Sequence, residues 1–210
     1  MSLEWRPALV ALRSLQRLPA RYLPLAGIFV GVISGGIYWL ASQFWPSSVA
    51  VVLSLSATAL LSASLSEGSF ARFPPRWIDV FVLLITYNAL MALTAANVGF
   101  SLPANLALGL IMICGQAASR GLVVSVLATR QGLSPRITNA DLGVALVLGF
   151  APATLLGIPG MMGLVASILM RLGLAASVKR EPQPPPLLNT VQPLTEACFY
   201  LGALATWKYI

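Results

Sequence analysis

Four of the six acidic residues in this chain sit where long apolar runs meet polar gaps. Glu67 closes one run, while Asp79, Asp141 and Glu196 open three others. Glu4 and Glu181 lie in polar segments. Carboxylates gathered at one face suit phosphate chemistry, because Mg²⁺ is held by one or two carboxylates together with substrate phosphates. Arg72, Arg76 and Arg120 are the cations that would meet such phosphates. A structural role competes for three of the acids, since a negative charge in the first turn of a helix complements its dipole. Asp79, Asp141 and Glu196 all have that explanation, and Asn139 reads as an N-cap ahead of Asp141. Glu67 does not, because it stands at the C-terminal end of its run, where the dipole disfavours an acid.

Arg120 lies inside an apolar run, roughly two turns before its end. A charge placed at the centre of a membrane helix costs at least ~2.5 kcal/mol and is usually paired or functional. Snorkelling to the headgroups is the alternative. Ser119 beside it is polar too, which favours pairing or function. Cys114 and Cys198 both lie in apolar runs, and the chain has no His. No soft-metal site is expected, and both cysteines read as small buried hydrophobes. There is no Walker loop, no GxGxxG and no nucleophile elbow.

The elements that must position these residues are membrane helices. The chain is 58% hydrophobic and only 9% charged, with a mean hydropathy of +0.84; a soluble domain carries about 25% charged residues. Apolar runs at Leu23–Ala41, Val49–Leu65, Ile78–Ala96, Leu102–Ala128, Leu142–Gly157, Met161–Ala176 and Leu194–Trp207 compare with the ~20 residues that cross a bilayer. The fifth and sixth are short and meet at Ile158-Pro159-Gly160, so they predict either two spans or one broken region. The expected fold is an all-α polytopic transmembrane bundle of six or seven spans.

Basic residues fall almost entirely in alternate gaps, with Lys208 near the C-terminus as the exception. Arg6, Arg13, Arg17 and Arg21 precede the first run, Arg72 and Arg76 follow the second, Arg130 and Arg136 the fourth, and Arg171, Lys179 and Arg180 the sixth. Lys and Arg collect in cytoplasmic loops, so the N-terminus is predicted to be cytoplasmic, with the protein in a bacterial inner membrane. The lipid bilayer is therefore the first partner. The net charge of +7 follows from this bias and implies no nucleic acid. Residues 1–21 lack a clean apolar core, which predicts no cleaved leader; they read as a cytoplasmic interfacial segment, with Arg6, Arg13 and Arg17 on one helical face. Residues 22–180 form the bundle. Residues 181–193, with five prolines, read as an extended cytoplasmic linker, and 194–210 as the final transmembrane helix. Gly27, Gly31 and Gly35 recur every fourth residue. Such a smooth face lets helices approach closely, which predicts internal packing, with homodimerisation through this face as the lesser alternative.

Several segments resemble the cobalamin synthase family, the adenosylcobinamide-GDP ribazoletransferases. Ser14–Pro19, SLQRLP, is similar to the family's "FxTRLP", and Ala20–Gly27, ARYLPLAG, to "ARYFPLVG". The match continues through Tyr38-Trp39-Leu40, Trp45-Pro46 and Val49–Leu61. Ala118-Ser119-Arg120 fits the central "xSR" element, and Gln192–Leu201, QPLTEACFYL, looks like "QQLTExxFYL". The resemblance implies a membrane enzyme that joins α-ribazole or its phosphate to adenosylcobinamide-GDP, releasing GMP, with Mg²⁺. It implies a corrinoid or nucleotide substrate, with Arg72, Ser119, Arg120 and Glu196 as substrate-binding residues and Glu67 as the catalytic, metal-holding acid.

The chain departs from the family pattern in the acidic loop. Leu65–Phe73, LSEGSFARF, aligns with "LHEDGLADF": Glu67 is kept, Ser66 replaces His, Gly68 replaces the first Asp and Arg72 the second. The family's following "MKDSRxGxxG" has no counterpart before the third run. A guanidinium at position 72 repels Mg²⁺ and attracts phosphate. Two readings follow at this stage: an active transferase with a reduced site, or a non-catalytic subunit of a larger membrane complex or homo-oligomer. A transporter or channel subunit is a third, resting on Arg120 and the glycine-rich first span.

Overall fold

The structure is a computed structural model of the chain, and it describes residues 20–65, 77–95, 103–129, 137–178 and 185–207. Among the described residues every regular element is helical. After one 3₁₀ turn at Ala20–Tyr22 come α1 Leu23–Ala41, α2 Ser47–Leu65, α3 Trp77–Ala95, α4 Ala104–Thr129, α5 Asn139–Thr154, α6 Ile158–Val178 and α7 Pro185–Trp207. Among the described residues three stretches are long and apolar enough to cross a membrane: Ala20–Ala41, Trp77–Ala95 and Asn105–Ala128. Ser47–Ser62, Asn139–Thr154 and Ile158–Leu174 are shorter apolar helices.

The packing puts polar groups inside and large apolar side chains outside. Leu60, Leu155 and Trp77 are 73%, 78% and 82% exposed, while Ser34, Ser54, Gln116, Ser167 and Thr195 are buried. Water would reverse this order; a bilayer favours it, because lipid tails solvate Leu as well as a core does. The buried hydroxyls bind helices together. Ser54 Oγ donates to the Ser34 carbonyl at 2.8 Å, joining α2 to α1. Ser167 Oγ donates to the Thr195 carbonyl at 2.8 Å, joining α6 to α7.

The long central helix α4 is the most buried, and α1 lies against it. A Cβ added at Gly27 would meet the Gln116 carbonyl oxygen at 2.5 Å, one at Gly31 the Ile113 Cα at 2.6 Å, and one at Gly35 the Gly109 Cα at 3.1 Å. Rising numbers on α1 meet falling numbers on α4, so the two helices are antiparallel. The glycine face is thus filled from within, as its spacing predicts, and offers nothing to a second copy. Gly121 on α4 meets Ala145 and Gly149 on α5 in the same antiparallel sense.

One alternative left open by the sequence is resolved, and one expectation needs correction. Residues 142–176 are two helices, α5 and α6, turned at Gly157, whose φ of 62° lies in the left-handed region that favours glycine. Pro159 follows in the first turn of α6, where its missing N–H has no helical partner. The segment 181–193 is not extended throughout: α7 begins at Pro185, with Pro186 beside it in the first turn and Pro193 inside the helix. Prolines are tolerated at such a start for the same reason. This early start moves Glu196 about three turns into α7, well clear of the dipole at its N-terminus.

The cap of α5 also differs from the expected Asn139. Thr138 is the N-cap. Its hydroxyl accepts from the Asp141 amide at 3.1 Å, and the Asp141 carboxylate accepts from the Thr138 amide and hydroxyl at 3.2 and 2.8 Å. The capping box is reciprocal, and a Thr cap outcompetes Asn139 because the acid falls three residues after it. These bonds, followed by Arg21, whose Nη1 donates to Oδ1 at 3.4 Å, hold the Asp141 carboxyl below the usual carboxylate range. A depressed pKa in the folded state adds stability above the ordinary carboxylate value, and that stability fades as pH falls through the folded one. The melting temperature of the wild type should therefore exceed that of Asp141→Asn near neutral pH, and the gap should narrow below about pH 4. A gap that widens in acid would refute the cap's electrostatic part.

Candidate functional site

Two of the residues singled out from the sequence meet in the bundle's interior. Arg120 on α4 is 4% exposed and Glu196 on α7 is 8% exposed. Antiparallel packing of these helices brings Gln116 Nε2 to Glu196 Oε1 at 2.7 Å. The same oxygen accepts from Tyr200 Oη at 2.9 Å. Gln116 and Arg120 are four apart on α4, and Glu196 and Tyr200 four apart on α7. Each pair therefore shares one helix face, and the two faces oppose each other. Arg120 and Glu196 attract each other across the interior but form no direct ion pair. Arg120 Nη2 instead donates to Ser62 Oγ at 3.2 Å, late in α2.

The cluster contains unspent hydrogen-bonding capacity. Among the described residues Arg120 Nη1 and Gln116 Oε1 are buried with no partner. A buried polar atom without a partner costs roughly 1–3 kcal/mol, more when charged. One donor from a cation and one acceptor from an amide, a helical turn apart, can grip a polar or anionic group. They do not make a metal site. Among the described residues no three His, Cys, Asp or Glu side chains come together. Glu196 Oε1 is already taken by two donors, and the Arg120 cation stands nearby. Mg²⁺ does not fit here.

Snorkelling is overturned for Arg120, because its guanidinium is held inward by Ser62 rather than reaching the headgroups. The dipole explanation is overturned for Glu196, which lies deep in α7. Ser119 is buried, yet its hydroxyl donates to the Gln116 carbonyl at 3.2 Å on its own helix. Ser119 is thus engaged within α4, and its hydroxyl bonds neither Arg120 nor Glu196. Glu67 and Arg72 lie outside the described residues, as do residues 1–19 of the interfacial segment.

Sequence reasoning missed Gln116, Tyr200 and Ser62. The signal for the first two was present: each stands four residues from a suspicious charge in an apolar run. It also misplaced Arg171 as a loop residue. Arg171 lies within α6, where its Nε donates to Ser125 Oγ at 2.9 Å and its Nη2 to the Ser125 carbonyl at 3.0 Å. Ser125 is near the C-terminus of α4, where a cation complements the helix dipole. Arg21, Arg120, Arg171 and Asp141 thus all belong to the same end of the bundle.

Comparison with known proteins gives this arrangement a relationship. Residues 6–71 match the family model described as Cobalamin-5-phosphate synthase. The chain is 46% identical over 52 residues to the adenosylcobinamide-GDP ribazoletransferase of Leptothrix cholodnii, covering 25% of this chain and 20% of that protein. It is 29% identical over 125 residues to the protein of the same name from Shewanella amazonensis, covering 51% of this chain and 48% of that one. A further relative of that name, from Shewanella denitrificans, is 36% identical over 52 residues. The matched stretches thus span from one fifth to about half of these relatives' lengths. No solved structure matches. By its N-terminal third, and by relatives that share one name, the chain is similar to the cobalamin synthase family over part of its length.

Proposed function

We propose that this protein works in the membrane as a ribazoletransferase, joining α-ribazole or its phosphate to adenosylcobinamide-GDP with release of GMP. The observation that carries this reading is the buried Arg120, tied to Ser62 at the end of the helix that leads into the Glu67 loop. Attack of a ribazole oxygen on a phosphorus of the diphosphate spreads charge over the phosphoryl oxygens, and fixed cations aimed at that charge lower the barrier. Arg120, with a free buried N–H, serves that role; Arg72 supplies a second cation in sequence beside Glu67. Gln116 and Tyr200 orient Glu196 and keep its charge opposite Arg120. Glu67 is the family acid that would hold Mg²⁺. The relatives named for the transferase support an enzyme over a non-catalytic subunit.

The alternation of basic gaps supports seven spans with a cytoplasmic N-terminus, in the inner membrane of a bacterium. On that topology the Glu67 loop, the Arg120 end of α4 and the start of α7 share the cytoplasmic face, where nucleotide substrates are found. Purified protein should form cobalamin from adenosylcobinamide-GDP and α-ribazole with Mg²⁺, and Glu67→Ala should lower the rate by about 10²–10³-fold. Absence of turnover in folded wild-type protein would reject the assignment.

A further inference from the structure

α3 is the least covered of the three membrane-length helices: 28% of its apolar stretch is buried, against 44% for α1 and 83% for α4. Its outward stripe runs Trp77, Phe81, Leu84 and Asn88, at spacings of four, three and four, and returns at Ala95. Trp77, Phe81 and Leu84 are 82%, 62% and 51% exposed. Any lipid-facing helix shows such spacing, so the stripe alone decides nothing. Asn88 decides it. It sits near the middle of a span and is exposed, yet it makes one hydrogen bond, from Nδ2 to the Leu84 carbonyl at 2.8 Å. Among the described residues the second Nδ2 hydrogen and Oδ1 have no partner.

Two outward hydroxyl residues on other helices do not share this deficit. Ser56 and Thr154 are exposed on α2 and α5, but each closes its single O–H on its own helix, onto the Val52 carbonyl at 2.8 Å and the Ala151 carbonyl at 2.7 Å. An amide carries two donors and an acceptor and cannot satisfy them on one backbone carbonyl. Hydrocarbon supplies no replacement. An Asn amide is also its own complement: a second copy presents a donor to its acceptor and an acceptor to its donor.

We propose that α3 is the homodimer interface of this protein, with Asn88 of each copy hydrogen-bonded to Asn88 of the other. Two copies inserted in the same sense are related by a two-fold axis along the membrane normal, which places the two α3 helices parallel and both Asn88 residues at one depth. The spacings of four and three are those of a left-handed helix pair, and one polar residue in such a seam fixes register and partner number. Phe81 and Leu84 pack above the amide pair and exclude lipid from it.

The test is the monomer–dimer equilibrium of the purified full-length protein, measured by single-molecule photobleaching in phosphatidylcholine–phosphatidylglycerol vesicles as protein density is varied. The wild type should show a dimer that dilutes to monomer. Asn88→Leu should weaken it about tenfold, the scale of an interhelical hydrogen bond in lipid. Asn88→Gln keeps the amide and should retain most of the association, while Ser56→Leu, on another outward face, should change nothing. With Asn88 intact, Leu84→Cys should cross-link to the same residue of its partner under oxidation. A wild type that stays monomeric at all densities, or an Asn88→Leu variant that dimerises as tightly, would overturn the proposal.

Discussion

Replacing Glu196 by alanine is expected to destabilise the folded bundle by about 3–5 kcal/mol, the usual cost of leaving a buried charge without its counter-charge. The substitution removes the acceptor of Gln116 Nε2 and Tyr200 Oη together, so two further buried donors lose their partner. It also leaves the Arg120 guanidinium, already short of one bond at Nη1, with no acid opposite. Heating in detergent followed by fluorescence-detected size exclusion reads the loss directly. The double variant Glu196→Met with Arg120→Met separates charge from packing. Two apolar side chains of similar volume need no partner, so its loss should be clearly smaller than the sum of the two single losses. Additive losses would mean that the two charges are not coupled. Both single variants should also lose cobalamin formation, since Arg120 is the buried cation of the proposed site.

The second large effect is expected at Gly27. A valine there would drive its Cβ to 2.5 Å from the Gln116 carbonyl oxygen, and backbone cannot rotate away as a side chain can. Overpacking of this kind costs about 1–3 kcal/mol, and here it also displaces the helix segment that carries Gln116 and Arg120. Gly36 is the matched control. A Cβ at Gly36 meets nothing within 4 Å, so Gly36→Ala should raise stability by roughly 0.5–1 kcal/mol through helix propensity alone. Both effects are read by the same thermal assay. Equal behaviour of the two variants would refute close packing of α1 on α4.

Much of the fold was legible because membrane insertion is nearly a local property. Each apolar run is judged by its own transfer energy, and each became a helix close to its expected ends, except that α7 starts well before Leu194, at Pro185. Gly27, Gly31 and Gly35 announced close packing because their spacing matches one helix face. Errors arose where a local rule met a neighbour outside its window. Prolines at 185 and 186 looked like a linker, yet a helix start is where proline costs least. Asn139 looked like a cap, but Thr138 is the residue with an acid three positions on.

By itself the sequence determined the class of solvent, the positions of the apolar helices, the suspicion attached to Arg120 and Glu67, and the relationship carried by residues 6–71. These follow from residue type and short-range spacing, which folding does not alter. The tertiary structure alone decided that Glu196 is a deep member of a buried network rather than a helix-end ornament, and that Gln116, Tyr200 and Ser62 bond into the same cluster. Gln116 and Glu196 are 80 residues apart in the chain, and Arg120 and Ser62 are 58 apart. Partnerships across such distances are set by which helix faces pack together, and that choice is a property of the whole bundle, fixed by glycine grooves and buried hydroxyls on several helices at once.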